Sequence, residues 1–94
     1  MPDFFSFKVK PTITLPNGVV INYGIKREGK VSLRIYDITG GLVKELINKV
    51  VRPGNYTISW DGSNQDGEKV SSGHYFVRIE SGIFTKAEKV MVIR

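Results

Sequence analysis

One acidic segment carries the residues best suited to metal chemistry in this sequence. Asp61, Asn64, Asp66 and Glu68 place hard oxygen atoms within eight positions, and Ca²⁺ takes about 6 to 8 such ligands. The spacing differs from that of an EF-hand loop, which has ligands at alternate positions and a Glu at the twelfth. The same residue types also form Asx turns, in which a side-chain oxygen accepts a backbone N–H. We expect solvated turns, and keep Asp61, Asn64 and Asp66 as candidate ligands of a weak calcium site.

His74 is the only histidine, and Ser71 and Ser72 precede it closely. Such a group could act as a general base or a metal ligand. A catalytic Ser–His pair also needs an orienting carboxylate and an oxyanion hole, and no pattern in the sequence supplies either. We therefore expect a protein without enzymatic activity or a resident cofactor.

The composition indicates one all-β domain over residues 1–94. The chain has 11 Val and 10 Ile against 4 Leu and 1 Ala, and branching at Cβ favours strands over helices. It has no cysteine, which excludes a disulfide framework and a thiolate metal cluster. No apolar run approaches the roughly 20 residues that cross a bilayer, so no membrane span is expected.

Apolar and polar residues alternate along most of the chain, the period of two that places one face of a strand on a core. The alternating segments are Phe5–Val9, Val19–Ile25, Val31–Ile35, Tyr56–Trp60, Tyr75–Ile79 and Phe84–Ile93. Leu42–Ile47 has a mixed pattern, which indicates a sheet edge or a bend. Seven strands at this spacing predict an immunoglobulin-like (fibronectin III-like) β-sandwich of about seven antiparallel strands.

Trp60 is expected at the centre of the core, because an indole buries about 200 Å² and can fill the space between two sheets about 10 Å apart. The other predicted core residues are Tyr75, Leu33, Ile35, Ile58 and Val77. Pro53 and Gly54 predict a type II turn, because Pro fixes φ and Gly takes the positive φ that follows. Further turns are predicted at Pro16–Gly18 and around Asp61, Gly62, Gly67 and Gly73.

Three segments carry a family resemblance. They read IYDITGGLVKEL (35–46), RPGNYTISWDGSNQDGEKVSSGHYFVRI (52–79) and KAEKVMVIR (86–94). The order of PG, WDG, DG and SGxY is their most specific part. The chain resembles the immunoglobulin-like domain of the flagellar hook-capping protein, and equally the C-terminal sorting domains of proteins exported by the type IX secretion system. The resemblance implies a non-catalytic module that assembles, attaches or is recognised by an export machine.

The leading interpretation is therefore the C-terminal accessory domain of a larger secreted or cell-surface protein, which Arg94 would end. It would act in sorting, anchoring or assembly by contacting a domain of its parent protein, the secretion machinery or another copy. A hook-cap assembly domain and a glycan-binding module are the alternatives. Tyr36 and Phe76, together with Phe4 and Phe5, are candidate exposed aromatic residues for such contacts.

The net charge of +5 raises nucleic acid as a partner. The 14 basic residues are dispersed, however, with no run longer than two. Nucleic-acid binders usually cluster their basic residues with stacking aromatics. We therefore expect protein partners and no nucleic-acid binding.

Overall fold

The computed structural model describes residues 4–10, 13–14 and 18–93. The predicted turn residues Pro16 and Asn17, and the side chains of Phe4 and Phe5, lie outside what it describes. The strands are β1 (Phe4–Lys10), β2 (Ile13–Thr14), β3 (Val19–Ile25), β4 (Gly29–Asp37), β5 (Leu42–Val51), β6 (Gly54–Trp60), β7 (Gly73–Ser81) and β8 (Phe84–Val92). None of these described residues forms a helix that could cross a membrane.

The strands form two sheets. One has three strands in the order β1-β3-β6, and the other has five in the order β2-β8-β7-β4-β5. Neighbouring strands are antiparallel except for the two-residue β2, which runs parallel to β8. This arrangement confirms the predicted all-β sandwich, with seven antiparallel strands in two sheets and the short β2 as an addition.

The core lies between the two sheets and is built from the inward half of each alternating pattern. Its buried members are Phe7, Val9, Val19, Ile21, Tyr23, Ile25, Val31, Leu33, Ile35, Ile47, Val51, Trp60, Tyr75, Val77, Ile79, Val90 and Val92. The Trp60 side chain has no solvent exposure, and its ring meets that of Tyr75 edge-on with centroids 5.6 Å apart. Ile58 differs from the expectation, because it is only half buried and packs at the margin of the core.

Strand β5 is longer than the predicted segment Leu42–Ile47 and continues to Val51. It ends its sheet, with β4 as its neighbour. Its register against β4 shifts twice, leaving Val43 and Leu46 as extra residues between paired positions. These bulges interrupt the alternation, which is why the sequence of an edge strand reads as a mixed pattern.

The type II turn predicted at Pro53 and Gly54 is not formed. The φ angle of Gly54 is 152°, far from the roughly +80° that such a turn requires. Gly54 is already paired with Ile25 at the start of β6, because the chain crosses here from the five-stranded to the three-stranded sheet. The Tyr56 hydroxyl donates to the carbonyl of Arg52 at 2.5 Å and fastens this crossing.

Candidate functional site

The loop after Trp60 is organised by an Asx turn at Asp61. The Asp61 carboxylate accepts hydrogen bonds from the backbone N–H of Ser63, at 3.1 Å, and from its hydroxyl. The Ser63 hydroxyl, with help from the nearby Lys44 ammonium, lowers the pKa of Asp61. In turn, Nε1 of Trp60 donates to the carbonyl of Ser63 at 2.8 Å. The loop is therefore anchored directly to the centre of the core.

A second Asx turn follows at Asn64. Its side-chain oxygen accepts the backbone N–H groups of Asp66, at 3.0 Å, and Glu68, at 2.9 Å. The oxygens of Asp61 and Asn64, two of the three candidate calcium ligands, therefore already accept hydrogen bonds within the loop. No group of three or more acidic or histidine side chains gathers at metal-binding distance in the described part of the chain. The calcium site stays a prediction.

Gln65 has a role that the sequence did not indicate, because nothing in the pattern of a polar loop points to a strand. Its backbone N–H donates to the carbonyl of Val43 at 2.9 Å, and its side-chain oxygen accepts the N–H of Glu45 at 2.9 Å. Both partners lie in β5. One residue of the loop thus pairs with the first half of this edge strand as a neighbouring strand would.

His74 lies at the start of β7, in register with Met91 of β8. Its Nδ1 atom is buried and has no hydrogen-bond partner among the described residues. The preceding Ser71 is engaged through its carbonyl, which accepts the Tyr75 hydroxyl at 2.7 Å. The geometry thus gives no hydrogen bond from a serine to Nδ1 that would activate a nucleophile.

The outer face of the five-stranded sheet brings together the two aromatic residues suggested as a contact surface. Tyr36 of β4 and Phe76 of β7 are directly paired across the sheet. Arg78 lies over the Tyr36 ring, with its guanidinium carbon 5.9 Å from the ring centroid, a cation–π arrangement. Next to them Ile38 is 72% exposed. These four residues, with Ala87, line a shallow concavity of about 410 Å³, called here the aromatic face.

The aromatic face is held in place by polar contacts at its margin. Nε of Arg34 donates to the Glu45 carboxylate at 2.9 Å. A hydrogen bond with Tyr36 and this bond to Glu45 raise the pKa of Arg34. Asp37 accepts the N–H groups of Thr39 and Gly41 at 3.0 and 2.8 Å. These bonds fix the turn that presents Ile38. The arrangement offers an apolar surface with one cation, which suits binding more than chemical turnover.

Comparison with known proteins identifies the family of this chain. Residues 12–83 match the model of the FlgD Ig-like domain, which is more than half of the chain. The chain belongs to the FlgD Ig-like domain family. The match begins earlier than the resembling segments and stops before the terminal KAEKVMVIR. No curated protein sequence matches this FlgD Ig-like domain. The FlgD Ig-like domain family is non-catalytic.

Solved structures of two kinds share the fold. PorZ, a surface component of the type IX secretion system of Porphyromonas gingivalis, is 25% identical with a TM-score of 0.66, over 95% of this chain and 12% of PorZ. PorU of the same organism is 21% identical with a TM-score of 0.65, over 93% of this chain and 9% of PorU. FlgD of Xanthomonas campestris is 22% identical with a TM-score of 0.59, over 81% and 56% of the two chains.

These structural similarities support different conclusions. At identities of 21% and 22%, PorU and FlgD establish only the fold. The domain spans about an eighth of PorZ and a little over half of FlgD, so its structural neighbours are domains within larger proteins. The predicted resemblance to the hook-capping domain is confirmed by the family match, and PorZ shows that a component of the type IX secretion system shares the fold.

Proposed function

We propose that this FlgD Ig-like domain is a non-catalytic accessory module of a larger secreted or surface protein. It acts in sorting, anchoring or assembly through protein contacts. The family match and the similarity to a surface component of a secretion system support this function. The C-terminal position within a parent protein remains part of the proposal.

The observation that carries the proposal is the aromatic face. Ile38 is largely exposed, and Tyr36 and Phe76 lie side by side on the same sheet surface. Aromatic residues and arginine are enriched at protein interfaces, and Arg78 supplies a cation at this one. A surface of this composition suits a protein partner better than a sugar, since the only tryptophan is fully buried and cannot form a stacking platform.

The sorting role is tested by export of a reporter. The domain is fused to the C-terminus of a folded periplasmic reporter in a bacterium with a type IX secretion system, and surface-exposed reporter is measured. We expect the fused domain to bring the reporter to the surface. We also expect Ile38→Ser and Phe76→Ser to reduce that amount several-fold, since each removes apolar contact area. Val50→Ser is the matched control, because Val50 is also an exposed apolar residue, 64% exposed at the far end of the same sheet.

Each part of the proposal can be contradicted by a separate result. If the wild-type fusion stays in the periplasm, sorting is wrong. If the wild-type fusion is exported and Val50→Ser lowers export as much as Phe76→Ser, the aromatic face is not the contact surface. Circular dichroism of the purified variants confirms that each is folded.

Hook-cap assembly is the second candidate, favoured by the family match itself. It predicts that isolated copies associate with each other, which sedimentation equilibrium measures directly. A monomer at high micromolar concentration would argue against self-assembly by this domain. Binding to a glycan array, lost in Phe76→Ser, would instead support the glycan-binding alternative.

A further inference from the structure

We propose that the open side of the sandwich, between the edges of β5 and β6, binds an extended acidic peptide strand whose core-facing side chains are apolar at its centre and carboxylates at its ends. This surface is distinct from the aromatic face, and the inference does not depend on the function proposed for that face. It rests on a groove, an unpaired strand edge and the placement of one lysine.

The groove lies where the two sheets fail to close over the core. It has a volume of about 340 Å³, and is lined by Tyr23, Leu46, Ile47, Asn48, Lys49, Val51, Tyr56, Thr57 and Ile58. The rings of Tyr23 and Tyr56 stack with centroids 5.3 Å apart and form one wall. Leu46, Tyr56 and Ile58 are core-facing residues that remain half buried. Apolar side chains of a bound strand would complete their burial.

Strand β6 supplies a backbone edge along this groove. It ends the three-stranded sheet, and β3 is its neighbour in the described part of the fold. Its first six residues alternate between half-buried and exposed positions, and Tyr56 and Ile58 are the half-buried ones that line the groove. An added strand would pair with the free backbone groups of β6 and direct every second side chain into the groove, the mode called β-augmentation.

Across the groove from β6, the outer edge of β5 is covered in its first half and open in its second half. Gln65 occupies the backbone groups of Val43 and Glu45 in the first half of β5. The groove begins just beyond them, at Leu46. Within the described residues, no loop pairs with β5 in the way that Gln65 does beyond this point.

Lys49 determines the charge of the occupant. It is in register with the fully buried Val31, so its side chain leaves the strand on the core-facing side, at the mouth of the groove. An inward-pointing charge on an edge strand discourages neutral or basic strands from pairing there. Arg52 follows at the end of β5, and neither cation forms a salt bridge with a described carboxylate. An acidic strand would neutralise both, whereas a second copy of β5 would place another lysine against them.

The test uses a blocked synthetic peptide of about eight residues, close to the length of β6. Its alternate, core-facing positions are Glu, Val, Val and Glu in that order, and Thr occupies the positions between them. Backbone amide shifts of the labelled protein are followed during titration. We expect saturable shifts in β6 and around Lys49, and slower hydrogen exchange at alternate amides of β6. Lys49→Glu should weaken binding about tenfold, the effect of reversing one close charge pair, and should permit binding of the matching peptide in which Lys replaces both Glu residues.

Lys86→Glu is the control, because it makes the same charge change on β8, with β7 and β4 between that strand and β5. We expect it to change affinity by less than about twofold, since three strand spacings of about 4.8 Å exceed the Debye length of about 8 to 10 Å. Equal weakening by Lys86→Glu, shifts confined to the aromatic face, or the same affinity for a peptide N-methylated at alternate amides would each overturn strand addition. Absence of binding at millimolar peptide would overturn it as well.

Discussion

Replacing Trp60 measures how far the whole domain depends on one side chain. The residue is fully buried, and truncation of a buried Trp to Ala typically costs about 3–5 kcal/mol in lost transfer energy and cavity formation. The indole N–H also satisfies the buried Ser63 carbonyl, and leaving such a group unpaired costs about 1–3 kcal/mol more. A domain of 94 residues has a total stability of roughly 5–14 kcal/mol. Trp60→Ala should therefore remove a large part of it.

Trp60→Phe separates the two contributions. Phe keeps most of the apolar volume and removes the donor, so we expect a loss of about 1–3 kcal/mol. Urea unfolding should be followed by far-UV circular dichroism, because both variants lack the only tryptophan fluorophore. In both variants the amides of Asn64 and Val70, which close the loop through bonds of 2.7 and 2.9 Å, should exchange faster than in the wild type.

Two results would refute this reasoning. A loss below about 1 kcal/mol for Trp60→Ala would place the residue outside the energetic centre of the core. Unchanged exchange at Asn64 in Trp60→Phe would show that the loop does not depend on the indole hydrogen bond.

Three further predictions concern the turns and the acidic loop. Gly18→Ala should lower the free energy of unfolding in urea by roughly 3 kcal/mol or more, because the new Cβ would lie 1.9 Å from the Trp60 carbonyl oxygen at a φ of 90°. Gly40→Ala, at a φ of 88° with open space around the new Cβ, should lower it by only about 1–2 kcal/mol. Equal losses of stability in the two variants would contradict the steric clash at Gly18. The pKa of Asp61 is lower in the folded protein than its unfolded value of about 3.9, so the ionised carboxylate stabilises the fold above that pH, and this stabilisation is lost as pH falls through the folded pKa. Asp61→Ala should therefore lower Tm at pH 7 and make Tm decrease less steeply below about pH 4. Parallel curves of Tm against pH for the two proteins would argue against this. Tm should be the same in millimolar calcium and in chelator, and a calcium-dependent rise abolished by Asp66→Ala would instead establish the metal site.

The alternation of apolar residues predicted the strands because burial on one face leaves a direct record in sequence. Asn64 could be assigned to an Asx turn for a similar reason, since its hydrogen bonds are local. Apart from the mixed pattern of Leu42–Ile47, which indicated a sheet edge or a bend, the sequence could not indicate which strands end a sheet. For that reason Ile58, inward-facing but beside an open edge, was expected to be buried more completely than it is.

The sequence also could not predict the crossing between sheets at Gly54 or the pairing of Gln65 with β5. A Pro–Gly pair is compatible with several backbone paths, and the path is chosen by the pairing of Gly54 with Ile25 in the other sheet. The bond from Glu45 to Gln65 joins residues 20 positions apart. Local patterns contain no information on contacts of that kind, and the groove beside β6 exists only because two such edges face each other.

The side-chain hydrogen bond of Gln65 has an evolutionary consequence. Because the N–H of Glu45 is covered by a side-chain amide, one nucleotide change at the Gln65 codon can expose it, while the backbone bond from Gln65 to Val43 remains. A lineage could gain or lose a lateral neighbour in this way without altering the core, and related modules could diversify their assemblies while their folding remained the same.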